Sequence, residues 1–358
     1  MCAAPAARVA AALLVALALL ASGGGPVSRS AAAQTTPMVE LKFGLQRTMA
    51  IAAVFVGLEK GYFAQEGIDL KLEPLTAGSD ILTQVGVGYL HAGTGSGAVL
   101  YNAFNRGLDL KVLAATQFNN PNGPATNTVV VRSDLLDSSA VSTAADLRGR
   151  RVGVNARGVA SEYAVDLIMR EASATVDDVD LVVLPFPDMP TALANGSLDA
   201  AFVTEPYLRQ AEKLGAARPI APNSPAGEQI TVLFVNSAYS RANPGVEVGL
   251  VTGILRASRD LYGEGWNQPE NVQILSKYTQ LPPDVIQDSV KPYVDPNGRI
   301  DLDALDRQQR YFLAHGMLQY SEPIPVANMV DQSSVEDALR RLGEFVPHAV
   351  NARLAAQP

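Results

Sequence analysis

Four short segments combine hydroxyl, amide and charged side chains at points where predicted strands end. They contain the candidate binding residues Gln46, Arg47, Thr48, Thr94, Ser96, Asn155, Arg157, Ser161, Thr204 and Glu205. Hydroxyls and amides donate hydrogen bonds to small polar ligands, and arginine presents paired N–H donors that match a carboxylate, sulfonate or phosphate. The pattern predicts a binding site for a small organic anion, with Arg47 and Arg157 as its cationic donors.

Each of these residue types also has a structural use. Ser96, Ser161 and Thr204 are of the types that cap helices, and arginines commonly lie in solvent. The pair Glu205-Pro206 suits the first turn of a helix, where an acidic side chain complements the dipole. Alternatively, Glu205 accepts a hydrogen bond from an amine or ring N–H of a ligand. A cap explains any single residue as well as a ligand does, but the four segments together favour a ligand.

The elements that position these segments alternate between strands and helices. Apolar runs predict strands at residues 41–45, 69–74, around 92, 110–115, 151–154, 180–184 and 199–203. Amphipathic stretches between them predict helices, and this alternation is typical of parallel sheets in an α/β fold. Loops and helix N-termini converge at the carboxyl ends of parallel strands, where ligands bind.

The predicted strands form two series that resemble each other. Residues 42–46 align with 151–155, and residues 88–92 align with 196–200, which places Ser96 opposite Thr204. This internal correspondence predicts two α/β lobes of similar plan.

Two β-branched runs flank the second series, at residues 126–133 and 229–237. They suit a chain that crosses into the second lobe and back, although two core strands of a single sheet would read the same way. The predicted division is residues 1–33 as a signal peptide, residues 38–128 plus 236–358 as the first lobe, and residues 129–235 as the second.

The N-terminus has the features of an export signal. Arg8 precedes an apolar run at residues 9–21, and small residues lead to a predicted cleavage near Ala33–Gln34. The run is shorter than the roughly 20 residues that span a bilayer, although an uncleaved membrane anchor is the alternative. The single cysteine, Cys2, comes before the run and is not placed as a lipoprotein cysteine. We therefore expect a freely soluble periplasmic protein without disulfides.

The composition of the chain limits the kinds of partner that it can bind. Of the 358 residues, 47% are hydrophobic and 18% charged, as in folded proteins. The formal net charge is -8, and there is no run of lysines and arginines for a phosphate backbone, so nucleic acid is excluded as a partner.

Catalytic patterns are absent from the sequence. No H-E-x-x-H, P-loop or G-x-S-x-G motif occurs, and the three histidines are scattered. Residues 93–98 match G-x-G-x-x-A, but no acidic residue closes the following strand, so a dinucleotide site is not predicted. The sequence predicts a protein that is not an enzyme and has neither a cofactor nor a metal.

Several segments are similar to one family. Residues 58–70, LEKGYFAQEGIDL, resemble the EKGYFAEEGLDV segment of substrate-binding proteins of nitrate, sulfonate and taurine ABC transporters, the SsuA/THI5-like (NMT1-like) family. Residues 145–154, ADLRGRRVGV, resemble its DLKGKKVGV, and residues 193–200 and 204–207 resemble its AL..G.IDA and EPY. His91 departs from the family, which often has aspartate there.

The resemblance implies a type II periplasmic-binding-protein fold, with two Rossmann-like lobes joined by two crossing strands and closing on a ligand. It further implies a monomeric solute-binding component that delivers its ligand to an ABC permease and ATPase. The ligand itself stays open. Relatives also bind pyrimidine or riboflavin precursors, and enzymes or sensors reuse the fold.

Overall fold

The computed structural model describes residues 38–121, 123–220 and 227–347. The strands are β1 (Val39–Leu45), β2 (Ile68–Pro74), β3 (Ala92–Gly95), β4 (Leu110–Phe118), β5 (Asn127–Arg132), β6 (Arg151–Val154), β7 (Asp180–Val183), β8 (Ala200–Thr204), β9 (Ala217–Pro219) and β10 (Gln229–Asn236). The predicted strands of both series are therefore present, with ends shifted by a few residues. The predicted signal peptide lies outside the described residues. Within the described ranges, no helix is both long and apolar enough to span a membrane.

Helices cover the faces of the strands. They are α1 (Ala52–Glu59), α2 (Tyr62–Gln65), α3 (Gly78–Gly86), α4 (Ala98–Asn105), α5 (Ser133–Asp137), α6 (Ala160–Glu171), α7 (Met189–Ala194), α8 (Tyr207–Lys213), α9 (Ser237–Ala242), α10 (Val246–Leu261), α11 (Pro269–Thr279), α12 (Pro283–Asp288), α13 (Leu302–Ala314) and α14 (Ser333–Leu342). The sequence predicts one helix over residues 51–64, but Gly61 adopts a φ of 69° and divides α1 from α2. Glycine tolerates this left-handed conformation, so the helix stops there.

The strands form two five-stranded sheets with the same plan. The first has the order β2-β1-β3-β10-β4 and the second β7-β6-β8-β5-β9. In each, the three strands at one end are parallel, and the fourth strand runs antiparallel to its neighbours. This arrangement confirms the predicted α/β fold of two similar lobes. We call the part built on each sheet the first and the second lobe.

The chain passes between the sheets twice. It leaves the first sheet after β4 and enters the second at β5, and it returns between β9 and β10. The β-branched runs therefore belong to different sheets rather than to one. The predicted boundary places the return of the chain to the first lobe at residue 236. Because all of β10 already lies in the first sheet, the sheet order favours a return before this strand begins. The lobe limits themselves stay a prediction.

The pairing register confirms the internal correspondence. In the first sheet Phe43 pairs with Ala92, and in the second Val152 pairs with Ala200, which are equivalent positions in the alignment. A Cβ on Gly44 would lie 2.6 Å from Leu90, and one on the equivalent Gly153 would lie 2.7 Å from Leu198. Each lobe thus uses a glycine to let a leucine pack directly over the strand.

His91 stands where the family often has aspartate, and it accepts the equivalent hydrogen bond through a ring nitrogen instead of a carboxylate oxygen. Asp199 Oδ2 accepts from the backbone N–H of Arg151 at 3.0 Å, and His91 Nδ1 accepts from the equivalent N–H of Lys42 at 3.1 Å. The His91 ring also stacks on Tyr239 with 3.7 Å between ring centroids. Burial, together with the nearby Lys42, lowers the pKa of His91, which favours the neutral ring that this acceptor role requires.

Candidate functional site

A cavity with about 600 Å³ of empty space, its open mouth included, lies between the two lobes. Seven of the ten predicted residues line it: Gln46, Thr48, Thr94, Ser96, Asn155, Ser161 and Thr204. They come from all four predicted segments, two in each lobe. We call this space the inner cavity.

Strand ends and helix starts explain why these residues meet. The four segments follow β1, β3, β6 and β8, whose carboxyl ends face the cleft. Gly78, the first residue of α3, and Ala160, the first residue of α6, both line the inner cavity. The first backbone N–H groups of a helix have no partner within it and favour negative charge nearby. The inner cavity is thus bordered by two helix N-termini.

A polar network supports one wall of the cavity. Asn127, at the start of β5, is buried, and its Oδ1 accepts from Thr204 Oγ1 at 2.9 Å and from Gln117 Nε2 at 3.3 Å. Its Nδ2 donates to Asn119 Oδ1 at 2.9 Å. These bonds fix the amide orientation and join the ends of β4, β5 and β8. Because the network is buried, losing one member would leave the others unpaired.

Asn155 is held with its donors free. Its Oδ1 accepts from Ser161 Oγ at 2.7 Å, so the amide nitrogen points to the other side. No described residue accepts a hydrogen bond from that nitrogen. The two N–H donors of Asn155 are therefore available to a ligand in the inner cavity.

Every described residue that lines the inner cavity is uncharged. Phe186 and Phe202 supply aromatic surface, with ring centroids 6.4 Å apart. An anion bound here would be held by hydroxyl, amide and backbone N–H donors and by the helix N-termini. Such dipoles stabilise negative charge without a cationic side chain.

Three predicted residues do not line the inner cavity. The Arg157 side chain is 56% exposed, and its guanidinium donates to Glu162 Oε1 at 2.8 Å. Arg47 lines a neighbouring cavity. Glu205 is buried beside a third cavity, on the other side of its loop. The physical reason is that a loop residue can face either way, and the sequence does not say which.

The structural role of Glu205 is well defined. Its Oε2 accepts from the backbone N–H of Arg209 at 3.1 Å, and its Oε1 accepts from that of Val290 at 3.0 Å. Burial raises the pKa of this carboxyl, and the backbone donors partly offset that effect. Glu205 thus caps the first turn of α8 and ties it to the segment after α12. Of the two roles predicted for Glu205, the structure thus shows the one at the start of a helix and adds a contact with a distant segment.

The lobes touch along the cleft. The backbone N–H of Val99 donates to the carbonyl of Gly158 at 3.0 Å, and a small apolar cluster joins Ala77 and Val99 to Ala156 and Val159. Elsewhere, Tyr207 Oη donates to the Arg47 carbonyl at 2.8 Å. These contacts cross between the two sheets and close the cleft over the inner cavity.

Sequence reasoning missed several residues of the inner cavity. They are Ala50, Ile51, Gly78, Gly95, Gln117, Asn127, Val159, Ala160, Phe186, Phe202, Ile230 and Thr231. Polar residues at the ends of β-branched runs were a usable signal for Gln117, Asn127 and Thr231, because strands that cross between lobes must pass the cleft. Phe186 and Phe202 carry no comparable signal, since aromatic residues beside strands are usually core.

Comparison with known proteins identifies relatives of this architecture. The family model described as NMT1/THI5 like matches residues 48–272, which is more than half of the chain. No curated protein sequence matches the chain.

Solved structures match over most of the chain. The alkanesulfonate-binding protein SsuA from Xanthomonas axonopodis pv. citri, bound to MOPS, is 20% identical, with a TM-score of 0.68 over 83% of this chain and 99% of that chain. The periplasmic nitrate-binding protein NrtA from Synechocystis PCC 6803 is 14% identical, with a TM-score of 0.72 over 86% and 89%. The desulfurization enzyme DSZB is 22% identical, with a TM-score of 0.53 over 84% and 99%. These likenesses confirm the predicted two-lobed fold of type II periplasmic binding proteins.

Proposed function

The chain belongs to the NMT1/THI5-like family, and we propose that it is the extracytoplasmic solute-binding component of an ABC importer. It captures a small organic anion, of sulfonate or carboxylate type, in the inner cavity and delivers it to a membrane permease driven by an ATPase. The predicted signal peptide supports a periplasmic location, and we propose that the protein works as a monomer.

The observation that carries this proposal is the uncharged inner cavity between two lobes, whose mainly apolar lining carries several hydroxyl and amide groups. Binding proteins need a site that surrounds the ligand and lets it go again. Many neutral donors hold an anion with directional hydrogen bonds, and the two helix N-termini add favourable potential. We therefore assign the principal anion contacts to Asn155, Thr94 and Ser96 rather than to Arg157. The Ser161 and Thr204 hydroxyls already donate within the protein, to Asn155 and Asn127, and position this wall of the cavity.

The connection between the lobes supports a hinged mechanism. Only two chain crossings, between β4 and β5 and between β9 and β10, link the described parts of the sheets. In this mechanism the ligand binds one lobe in the open state, and contacts from the second lobe stabilise closure. The closed form is then the one that a permease receives.

One experiment tests both this proposal and the alternative that the chain is an enzyme with the same fold. The full-length protein is exported, purified from the periplasmic fraction and screened by thermal shift against sulfonates, nitrate, carboxylates and pyrimidines. We expect an organic anion to raise the melting temperature and to be recovered chemically unchanged. Stabilisation by a pyrimidine alone, or conversion of the stabilising compound to a product, would overturn the proposal.

A further inference from the structure

The inner cavity has an outer neighbour with different chemistry. A second cavity, with about 640 Å³ of empty space, shares Gln46, Thr48 and Phe186 with the inner one. We call it the outer cavity. Its other walls are mainly apolar and come from both lobes: Pro74, Leu75, Pro185, Pro187 and Tyr207. The three shared side chains show that the two cavities are direct neighbours.

Arg47 is the distinctive residue of the outer cavity. Among the described residues that line either cavity it is the one charged side chain. It is half-buried, and its guanidinium forms no ion pair or side-chain hydrogen bond with any described residue. By contrast, Arg157 is exposed and paired with Glu162. A half-buried guanidinium with five donors and no partner is suited to a carboxylate or sulfonate from outside the protein.

The loop that carries Arg47 is held in place from both lobes. Tyr207 Oη of the second lobe donates to the Arg47 carbonyl at 2.8 Å, and Gln46 Nε2 donates to the Thr76 carbonyl at 2.8 Å. Burial raises the pKa of Tyr207 to about 12, so its hydroxyl stays protonated and remains a donor near neutral pH. The position of Arg47 at the wall is thus fixed by the closed cleft.

From this arrangement we propose that the ligand is an elongated organic dianion. One anionic group binds the neutral donors of the inner cavity, an apolar or aromatic body lies against Phe186 and the prolines, and a second anionic group pairs with Arg47. No aspartate or glutamate is among the described residues that line either cavity. A ligand with an ammonium group in place of the second anion therefore has no counter-charge and binds weakly. This inference rests on the proposed function and narrows its ligand class.

The test compares two aromatic probes by isothermal titration calorimetry. Biphenyl-4-sulfonate carries one anionic group for the inner cavity, and biphenyl-4,4′-disulfonate adds the second charge at the far end of an elongated body. We expect the wild-type protein to bind the disulfonate about tenfold more tightly or better. The Arg47→Ala variant loses that advantage and keeps its biphenyl-4-sulfonate affinity within about threefold, whereas Arg47→Lys retains part of it. Arg241→Ala removes a charge of the same sign from an exposed pair with Asp109 and serves as the control.

The outcomes separate this inference from the proposed function. Equal affinity of the wild type for the two probes, or an Arg47→Ala variant that weakens both equally, overturns the inference and leaves the proposed function standing. Absence of binding to either probe by protein that melts cooperatively contradicts both. A zwitterion supplies a further check: 2-aminoethanesulfonate is expected to bind more weakly than ethanesulfonate, and the reverse order would overturn the exclusion of ammonium groups.

Discussion

The backbone N–H of Val99, in the first lobe, donates to the carbonyl of Gly158, in the second, at 3.0 Å. The two backbones come this close because Gly97 and Gly158 have no side chains and adopt φ values of 83° and 71°. The Val99–Gly158 hydrogen bond forms only when the two lobes are this close, so it marks the closed state of the cleft.

The close approach at Gly97 predicts that a methyl group there would hold the cleft open. An added Cβ would lie 2.7 Å from Val159 Cα and 2.9 Å from the Gly158 carbonyl oxygen, both backbone atoms that cannot move aside. We expect Gly97→Ala to weaken ligand binding about tenfold or more, measured by calorimetry. Gly343→Ala is the matched control, because Gly343 has a similar backbone conformation (φ 74°, ψ 156°, against φ 83°, ψ −171° at Gly97) with nothing within 4 Å of its added Cβ. Equal effects of the two substitutions would mean that backbone strain, rather than closure, is responsible.

A second contact between the lobes involves a fully buried carboxylate. Tyr311 Oη, on α13, donates to Asp166 Oδ2, on α6, at 2.5 Å, and Arg170 and the Val176 N–H complete the shell. Burial alone would raise the pKa of Asp166, but these donors outweigh it and lower the pKa. We expect Tyr311→Phe to reduce the free energy of unfolding by about 1–3 kcal/mol in urea titrations. Tyr163→Phe is the control, since that hydroxyl has no partner among the described residues; a comparable loss there would argue against the hydrogen bond.

The loop behind the Val99 contact is supported by Glu162 rather than by Arg157. Glu162 Oε2 accepts from the backbone N–H of Gly158 at 2.5 Å. Glu162→Ala is therefore expected to loosen the loop and weaken binding about fivefold or more, since it removes a charge-assisted bond. Arg157→Ala breaks only an exposed ion pair and should change affinity by less than about threefold. A larger effect of Arg157→Ala would restore the sequence-based prediction that this arginine holds the anion.

His91 predicts a pH dependence of stability. Its folded-state pKa lies below the ordinary value of about 6.5, so the unfolded chain takes up the proton more readily. The stability that depends on the neutral ring is complete above about pH 6.5 and is lost as the pH falls through the folded-state pKa. The charged groups near the ring are Lys42 and Glu40, and Tyr239 stacks on its face.

Replacing His91 separates its contribution to the pH dependence of stability from that of other groups. His91→Asn and His91→Asp both keep an acceptor for the Lys42 N–H but do not titrate in this range. We expect both variants to show a smaller drop in melting temperature between pH 7.5 and pH 5 than the wild type. A drop as large as that of the wild type in both variants would assign the acid sensitivity to other groups.

Much of the fold followed from local patterns in the sequence. Period-two and period-3.6 runs located the strands and helices, and the correspondence between residues 42–46 and 151–155 gave the two-lobed plan, because equivalent positions such as Gly44 and Gly153 meet the same packing need. The helix predicted over residues 51–64 divides at Gly61. Glycine at this position of residues 58–70 predicts such a helix end, and its left-handed conformation confirms it.

The site was predictable only in part. Hydroxyl and amide residues after parallel strands converge wherever those strands lie side by side, which is why Thr94, Asn155 and Thr204 meet. The direction of a loop side chain depends on tertiary contacts. Arg157 therefore pairs with Glu162, and Glu205 accepts from the Val290 N–H, although both residue types could equally well have contacted a ligand.

The most direct test of the account asks whether the Asn155 amide selects for negative charge. Asn155→Asp keeps the oxygen that accepts from Ser161 Oγ and replaces the N–H donors with a carboxylate oxygen. Calorimetry would compare benzenesulfonate with its neutral analogue benzenesulfonamide on the wild type and on this variant. The account predicts that the wild type prefers the sulfonate by about tenfold or more and that the variant loses this preference. Equal binding of the two compounds by the wild type, or an unchanged preference in the variant, would contradict it.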